Sequence, residues 1–429
     1  MHVPDGFIDA PVSVATGAVA AAAVAVSLRG ARRELGDAGG GSGGLSGSGG
    51  SGGSGGERTA PLAGLVAAFI FAVQMLNFPV AAGTSGHLLG GALAAILVGP
   101  YTGVLCVSVV LLMQGVLFAD GGLTALGVNI TDMAVVTTVV AYAVFRAILK
   151  LTPRRRRSVT VASFVAALLS VPAAAVAFTA IYALGGTTHV SLGKVFTAMV
   201  GVHVLIGIGE AVITALTVSA VVSVRPDLVY GARGLTRTLE IRTAAVAAPA
   251  APGLAATAVS AAGRAADPGA PEVAAAPAAS GLAAAPGVPL GAAARAGGAA
   301  SGGAAAPASA PTARRSARRV WAIGVAAALL CAGVVSFYAS ASPDGLEKVA
   351  HDNGIDKKTE DHASKDSPLA DYGVKDISDA RLSGGLAGVI GVGATLAVGS
   401  GLFIVVRRRA KKAAAGPAAV PSAQHSETV

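Results

Sequence analysis

Charge is what this sequence has least of. Only 13% of its 429 residues are Asp, Glu, Lys or Arg, against about 25% in a soluble domain. Between Pro61 and Phe145 the only charged side chains are Asp120 and Asp132. A water-soluble fold needs a charged surface, so that class is excluded. Aromatic residues are sparse too, at 4%. The net charge of +9 therefore has no interleaved aromatics to make a nucleic-acid surface. The two cysteines, Cys106 and Cys331, both lie in apolar runs. They exclude a disulfide framework and a cysteine-based metal site. An ATP-binding loop, a His-Glu-x-x-His pair and a Gly-x-Ser-x-Gly elbow are also missing, and with them the commonest hydrolase chemistries.

What is there is hydrophobicity. Apolar residues make up 53% of the chain and the mean hydropathy is +0.67. Ala, Val and Gly carry most of it, and such small residues suit close helix packing in lipid. One bilayer crossing takes about 20 apolar residues as a helix. The sequence predicts nine crossings, at 8–28, 61–78, 86–99, 102–119, 124–149, 159–184, 194–224, 320–340 and 384–406. The third is short and closes on Gly99-Pro100. Cytoplasmic loops are enriched in Lys and Arg. With nine crossings and the N-terminus outside, 25 of the 32 basic residues fall on the cytoplasmic side. Without the third crossing, Arg154 to Arg157 would lie outside, so it is read as a tilted or partly helical span. The expectation is an all-α integral membrane protein with a cytoplasmic C-terminus. Its basic residues form a rim at the bilayer, with no role in nucleic-acid binding. No Lys or Arg precedes Arg29, so the basic start of a cleaved signal is missing and Met1 is expected to be retained.

Composition divides the chain. Residues 39–56 are Gly and Ser apart from Leu45, a flexible tether in the first cytoplasmic segment. No Gly-Lys-Ser/Thr follows, so they are not a phosphate loop. Residues 243–313 are rich in Ala, Gly and Pro and read as a disordered cytoplasmic linker. It separates a seven-span module, 1–242, from a two-span module, 314–429, whose polar outer loop, 341–383, has ten acidic residues against six basic.

Titratable residues in or near the bilayer are functional suspects. Met1-His2 is a chelate in waiting. The α-amine, the deprotonated amide nitrogen of His2 and its imidazole can share one plane. Planar nitrogen sites suit Ni(II) and Cu(II), and a related site takes Co(II). The alternative is an arbitrary second residue. Gly83-Thr84-Ser85-Gly86-His87 puts a second histidine beside a glycine turn on the same outer face. It is either a ligand or an interfacial imidazole bonded to a carbonyl. His203 and Glu210 lie seven apart on one helical face. They are expected to pair with each other or with Gln74, Asn77, Gln114, Asn129 and Asp132, either fixing helix packing or orienting a ligand imidazole. His189 reads as a loop residue, and His351 and His362 as members of the acidic outer loop.

These residues are also those of a known family. Met1-His2-Val3-Pro4-Asp5-Gly6-Phe7 resembles the start of the CbiM/NikM family. Gln74 to Val80 followed by Gly83 to Gly90 resembles its second signature, and Val202 to Glu210 a third. Ser342-Pro343-Asp344-Gly345-Leu346-Glu347 resembles the motif of the small PDGLE module, similar in layout to CbiN/NikN. The resemblance covers about 1–225 and 320–406. It implies the substrate-binding component (S component) of an energy-coupling-factor (ECF) transporter in a prokaryotic cytoplasmic membrane, a seven-helix bundle fused to a two-helix module. It implies Co(II) or Ni(II) as transported substrate, held by the Met1 amine, the His2 nitrogens and the His87 imidazole. Gln74, Asn77, Thr84, Ser85, His203 and Glu210 are then expected as supporting polar residues. It also implies partners: a transmembrane coupling protein, docking on small-residue surfaces such as 18–22, and two cytoplasmic ATPases. The chain itself then has no enzymatic activity. The 39–56 insertion departs from the family's pattern. The rival readings are a membrane metal sensor or metalloenzyme, and a self-sufficient transporter, for which no internal repeat is seen.

Overall fold

The computed structural model describes residues 1–36, 59–81, 83–153, 155–233 and 312–414. The tether at 39–56, and all but the last two residues of the linker at 243–313, lie outside the described residues. Ten helices and one small hairpin position the site. In chain order they are α1 (Ala10–Gly36), α2 (Thr59–Gln74), β1 (Phe78–Ala81), β2 (Thr84–Gly86), α3 (Gly91–Val98) and α4 (Pro100–Leu117). Then follow α5 (Leu126–Leu151), α6 (Arg156–Gly185), α7 (Leu192–Val224), α8 (Thr312–Gly333), α9 (Gly345–Asn353) and α10 (Ala380–Ala414). Short 3-10 turns join several of them.

Among the described residues, seven helices are long and apolar enough to cross a bilayer, in α1, α4, α5, α6, α7, α8 and α10. They carry large apolar side chains on their free faces, such as Val14, Val139, Leu216 and Ile323, as lipid contact allows. The chain is thus a multi-span, mainly helical membrane protein. The other two expected crossings are shorter. Helix α2 has 16 residues. The 86–99 segment resolves into an extended stretch and the eight-residue α3, which spans only about 12 Å. All eight residues of α3 are buried. Non-helical backbone at membrane depth is tolerated where protein surrounds it, and side chains supply its partners here. Glu210 on α7 accepts from the Leu89 and Gly90 amides at 2.7 and 3.2 Å. Gln74 donates to the Leu89 carbonyl.

Other polar residues do structural work. At the end of α1, the buried Glu34 carboxylate accepts from the Tyr101 and Thr102 amides and the Thr102 hydroxyl. It thereby caps the amide-rich start of α4. Residues 130–136 of α5 form a π-helical turn. Phe71 on α2, Phe118 after α4 and Tyr372 before α10 stack into one aromatic cluster, with Phe118 and Tyr372 centroids 4.9 Å apart. This cluster ties the C-terminal segment to the helices around the site.

Candidate metal centre

The first nine residues form a plug. Met1 and Val3 are 2% and 0% exposed. The Val3 amide donates to Asn129 Oδ1, Asn129 Nδ2 returns a bond to the Val3 carbonyl, and the Gly122 amide donates to the same oxygen. Asp5 Oδ1 accepts from the amide and hydroxyl of Thr124. Thr187 Oγ1 donates to the Gly6 carbonyl. The loop ahead of α5 must come very close to this plug. A Cβ on Gly122 would stand 2.3 Å from the Asp5 nitrogen, so only glycine fits there.

The plug delivers the Met1 amine to His87. Amine and His87 Nε2 are 2.9 Å apart, both buried. His87 Nδ1 lies 3.1 Å from the Leu88 carbonyl. A carbonyl only accepts, so Nδ1 carries the proton and Nε2 presents its lone pair to the amine. Two nitrogens bound cis to one ion, each about 2.0 Å from it, stand about 2.8 Å apart. The observed spacing is that of a hydrogen bond from the Met1 ammonium to Nε2, and it is close to this donor-pair spacing. The His2 ring stacks on the His87 ring, centroids 5.0 Å apart and planes within 13°. Its Nδ1 faces Asp120 Oδ1 at 3.0 Å, and its Nε2 is buried without a hydrogen-bond partner.

The C-terminal segment adds a fourth group. Asp344 Oδ2 accepts from the Met1 amine at 2.7 Å and lies 3.6 Å from His87 Nε2. His2, His87 and Asp344 form the one three-residue group among the described residues that brings metal-ligating atoms within 4.8 Å of one another. Local chemistry aims the carboxylate. Asp344 and Glu347 make a capping box at the start of α9: Oδ1 accepts the Glu347 amide, and Glu347 Oε2 accepts the Asp344 amide. That leaves Oδ2 free to face the plug. Ser85 braces the turn, its amide and hydroxyl donating to the carbonyls of Pro343 and Ser342. Burial alone would raise the Asp344 carboxyl, but the adjacent Met1 ammonium holds it well below the usual carboxylate range. Burial acts on Asp120 in the same way, and His2 with the Tyr372 hydroxyl brings it down to about 2.

Of the sequence-predicted residues, Met1, His2 and His87 converge. Thr84 and Ser85 sit buried in β2 under the Pro343 turn. Gln74 and Glu210 hold the backbone directly after His87. Asn77 lines a cavity of about 590 Å³ that opens beside His2, Asp120 and Asp344. The expected pairing of His203 with Glu210 is not formed: Glu210 is taken by two backbone amides, and His203 Nδ1 bonds the Met199 carbonyl. Gln114 and Asp132 also stay apart from both, the Asp132 carboxylate buried without a hydrogen-bond partner. His189 and His351 are exposed, and His362 Nε2 donates to the carbonyl of Gly121, which packs against His2. Sequence reasoning missed Asp120 and Asp344 as site residues. The available signal was the Asp-x-x-Glu capping pattern at 344–347.

Residues 51–228 match the model of a cobalt uptake substrate-specific transmembrane region, and 318–408 match the PDGLE domain. A protein of Haloquadratum walsbyi named as a metal transport protein is 38% identical over 54% of this chain and 94% of its own length. The cobalt transport protein CbiM of Sorangium cellulosum is 35% identical over 39% of this chain and 75% of its own. The fused nickel transport protein NikMN of Rhodobacter capsulatus is 37% identical over 34% and 36%.

Proposed function

The chain belongs to the CbiM family of cobalt uptake substrate-specific membrane proteins, and from that premise we propose that it captures Co(II) or Ni(II) for uptake through an N-terminal nitrogen chelate. The Met1 amine and the His2 amide each give up a proton. These two nitrogens, the His2 imidazole and His87 Nε2 then surround the ion. The chelate needs His2 Nδ1, so on binding this nitrogen exchanges Asp120 for the ion and its proton moves to Nε2 of the same ring, which stays neutral. What supports the reading above all is the 2.9 Å approach of the Met1 amine to a His87 nitrogen whose lone pair is fixed toward it. Glu210 and Gln74 act behind the site by holding the backbone that carries His87, as outer groups around metal-bound imidazoles do.

The transport cycle belongs to an assembly. Residues 1–242 form the metal-binding module, and 314–429 form a second module that reaches over it with its 341–383 loop. The plug faces outside and the C-terminus the cytoplasm. A transmembrane coupling protein docks on small-residue surfaces such as 18–22 of α1, where Ala18, Ala21 and Ala22 are exposed, and ATP hydrolysis on two cytoplasmic partners drives release inward. This chain catalyses no reaction of its own. Nitrogen donors of this kind serve cobalt and nickel alike.

The test is calorimetry of the purified protein with Co(II) and Ni(II) in turn. It compares wild type, His2→Ala and a protein with one residue added before Met1. The added residue keeps every side chain but moves the amine away from His2. The tight one-to-one site is expected to disappear in both variants. Undiminished tight binding in the protein with the added residue overturns the chelate.

A further inference from the structure

His203 has the geometry of a metal ligand that the chelate leaves unused. It sits eleven residues into α7, about 16 Å from the helix start, and is fully buried. Its Nδ1 lies 2.7 Å from the Met199 carbonyl one turn back. That carbonyl can only accept, so Nδ1 carries the proton and the lone pair of the neutral ring is on Nε2. Histidines that bind metals are typically fixed in this manner, the remote N–H given to a backbone carbonyl and the other nitrogen left free. Nε2 of His203 is buried with no hydrogen-bond partner, an arrangement that native interiors rarely leave unexplained.

Its surroundings point the same way. With Met1 in place, His203 lines one narrow cleft, too tight for a water molecule, with Met1, Gly86, His87, Asp344 and Gly345. The cleft adjoins the larger cavity, and His87 and Asp344 belong to both walls. His203 itself does not join the close cluster of His2, His87 and Asp344. Gly345 keeps the cleft narrow and its imidazole edge uncovered. A Cβ there would stand 2.8 Å from Val202 Cγ1 and 3.4 Å from His203 Cε1.

We infer that His203 Nε2 is a donor to the transported divalent ion in a second position, next to the N-terminal chelate, that shares His87 and Asp344 with it. The ion passes from the plug to this position when the plug lets go, so it is never stripped of ligands in a water-poor interior. The inference rests on the chelate reading, and the two are separable by experiment.

Co(II) calorimetry on the purified full chain compares wild type, His2→Ala, His203→Asn and the double variant. Asn at 203 has an amide N–H placed to keep the Met199 bond but lacks the Nε2 lone pair. His203→Gln, nearer in volume, serves if the Asn protein does not fold. His203→Asn alone is expected to keep tight binding within about threefold of wild type. His2→Ala is expected to lose the tight site yet retain one weaker site, and the double variant to weaken that residual site about tenfold or more, the range for losing a ligand environment. The Co(II) absorption spectrum of His2→Ala should change with it, as one of two imidazole ligands, His203 and not His87, is lost. Equal residual binding in His2→Ala and the double variant overturns the inference. So does a His2→Ala protein with no residual site. Undiminished tight binding in His2→Ala overturns the chelate reading instead.

Discussion

Two kinds of donor face the same cleft, and they arrive by different routes. The nitrogen side is local chemistry. Met1 and His2 are neighbours in the chain, and His87 follows a short hairpin, 86 residues from Met1. The carboxylate side is tertiary. Asp344 comes from a helix cap 343 residues away, carried there by a segment that stacks Tyr372 on Phe118 and hangs Ser342 and Pro343 on Ser85. The nitrogens can bind an ion in one plane. The carboxylate holds the amine in place and balances charge. The difference suggests that selectivity and affinity belong to the nitrogen side, and the state of the plug to the carboxylate side.

The largest effect should come from breaking the nitrogen side at its covalent root. The residue added before Met1 leaves every side chain in place, yet is expected to weaken binding by a factor on the order of 10³, or about 4 kcal/mol. Next comes pH. Two bound protons, on the amine and on the His2 amide, must leave for the ion to enter. Metal and protons therefore compete, and affinity falls as pH falls. Apparent affinity should drop by about two decades per pH unit where both protons are bound, since each released proton contributes one. Calorimetry in buffers of different ionisation enthalpy should count two protons per ion. A count of zero would mean that the ion is held by side chains alone.

Glu210→Gln tests the support behind His87. The carboxylate accepts from two adjacent amides, whereas the amide of Gln can accept from only one. Affinity should fall by about tenfold, the lower end for a change in groups that orient a ligand. His2 and the plug stay untouched. An unchanged dissociation constant would show that the buried run through α3 holds His87 without help.

The same division explains what the sequence makes legible. Apolar runs and charge placement suffice for a membrane bundle, and all nine expected segments correspond to helices. They do not distinguish full crossings from the short α3, because the extended stretch at 87–90 is held by Glu210 and Gln74 from other helices. The candidate nitrogen donors are legible because adjacent residues and a glycine-flanked histidine are local signals, and the structure brings them together. The spacing of His203 and Glu210 gives a shared face but not their partners, which are main-chain groups. Asp120 and Asp344 stay hidden for a related reason. The Asp-x-x-Glu pattern fixes what Asp344 Oδ1 does within α9, while what Oδ2 meets depends on the packing of the whole C-terminal segment.

The smallest effect on affinity is expected from Asp344→Asn, and it tests the comparison most finely. Without the ion, the group beside Asp344 is an ammonium of charge +1. With the ion, two protons have gone and a dication has entered, so the charge beside it is again +1. The carboxylate is attracted to both states about equally, and equal attraction to two states does not shift the equilibrium between them. Asn at 344 should therefore change the dissociation constant by less than about threefold, or about 0.7 kcal/mol. Stability should fall more visibly in both states. A carboxylate whose folded-state pKa is depressed contributes stability that is present above the unfolded value, about 3.9, and is lost as pH falls below it. Asp344 is depressed, so at neutral pH its contribution is fully present and Asn removes it. Thermal unfolding of wild type and variant, each with and without Ni(II), should show a similar loss in both pairs. A loss of affinity of tenfold or more would instead make Asp344 a ligand of the resting ion, and the carboxylate side would then share in selecting the metal.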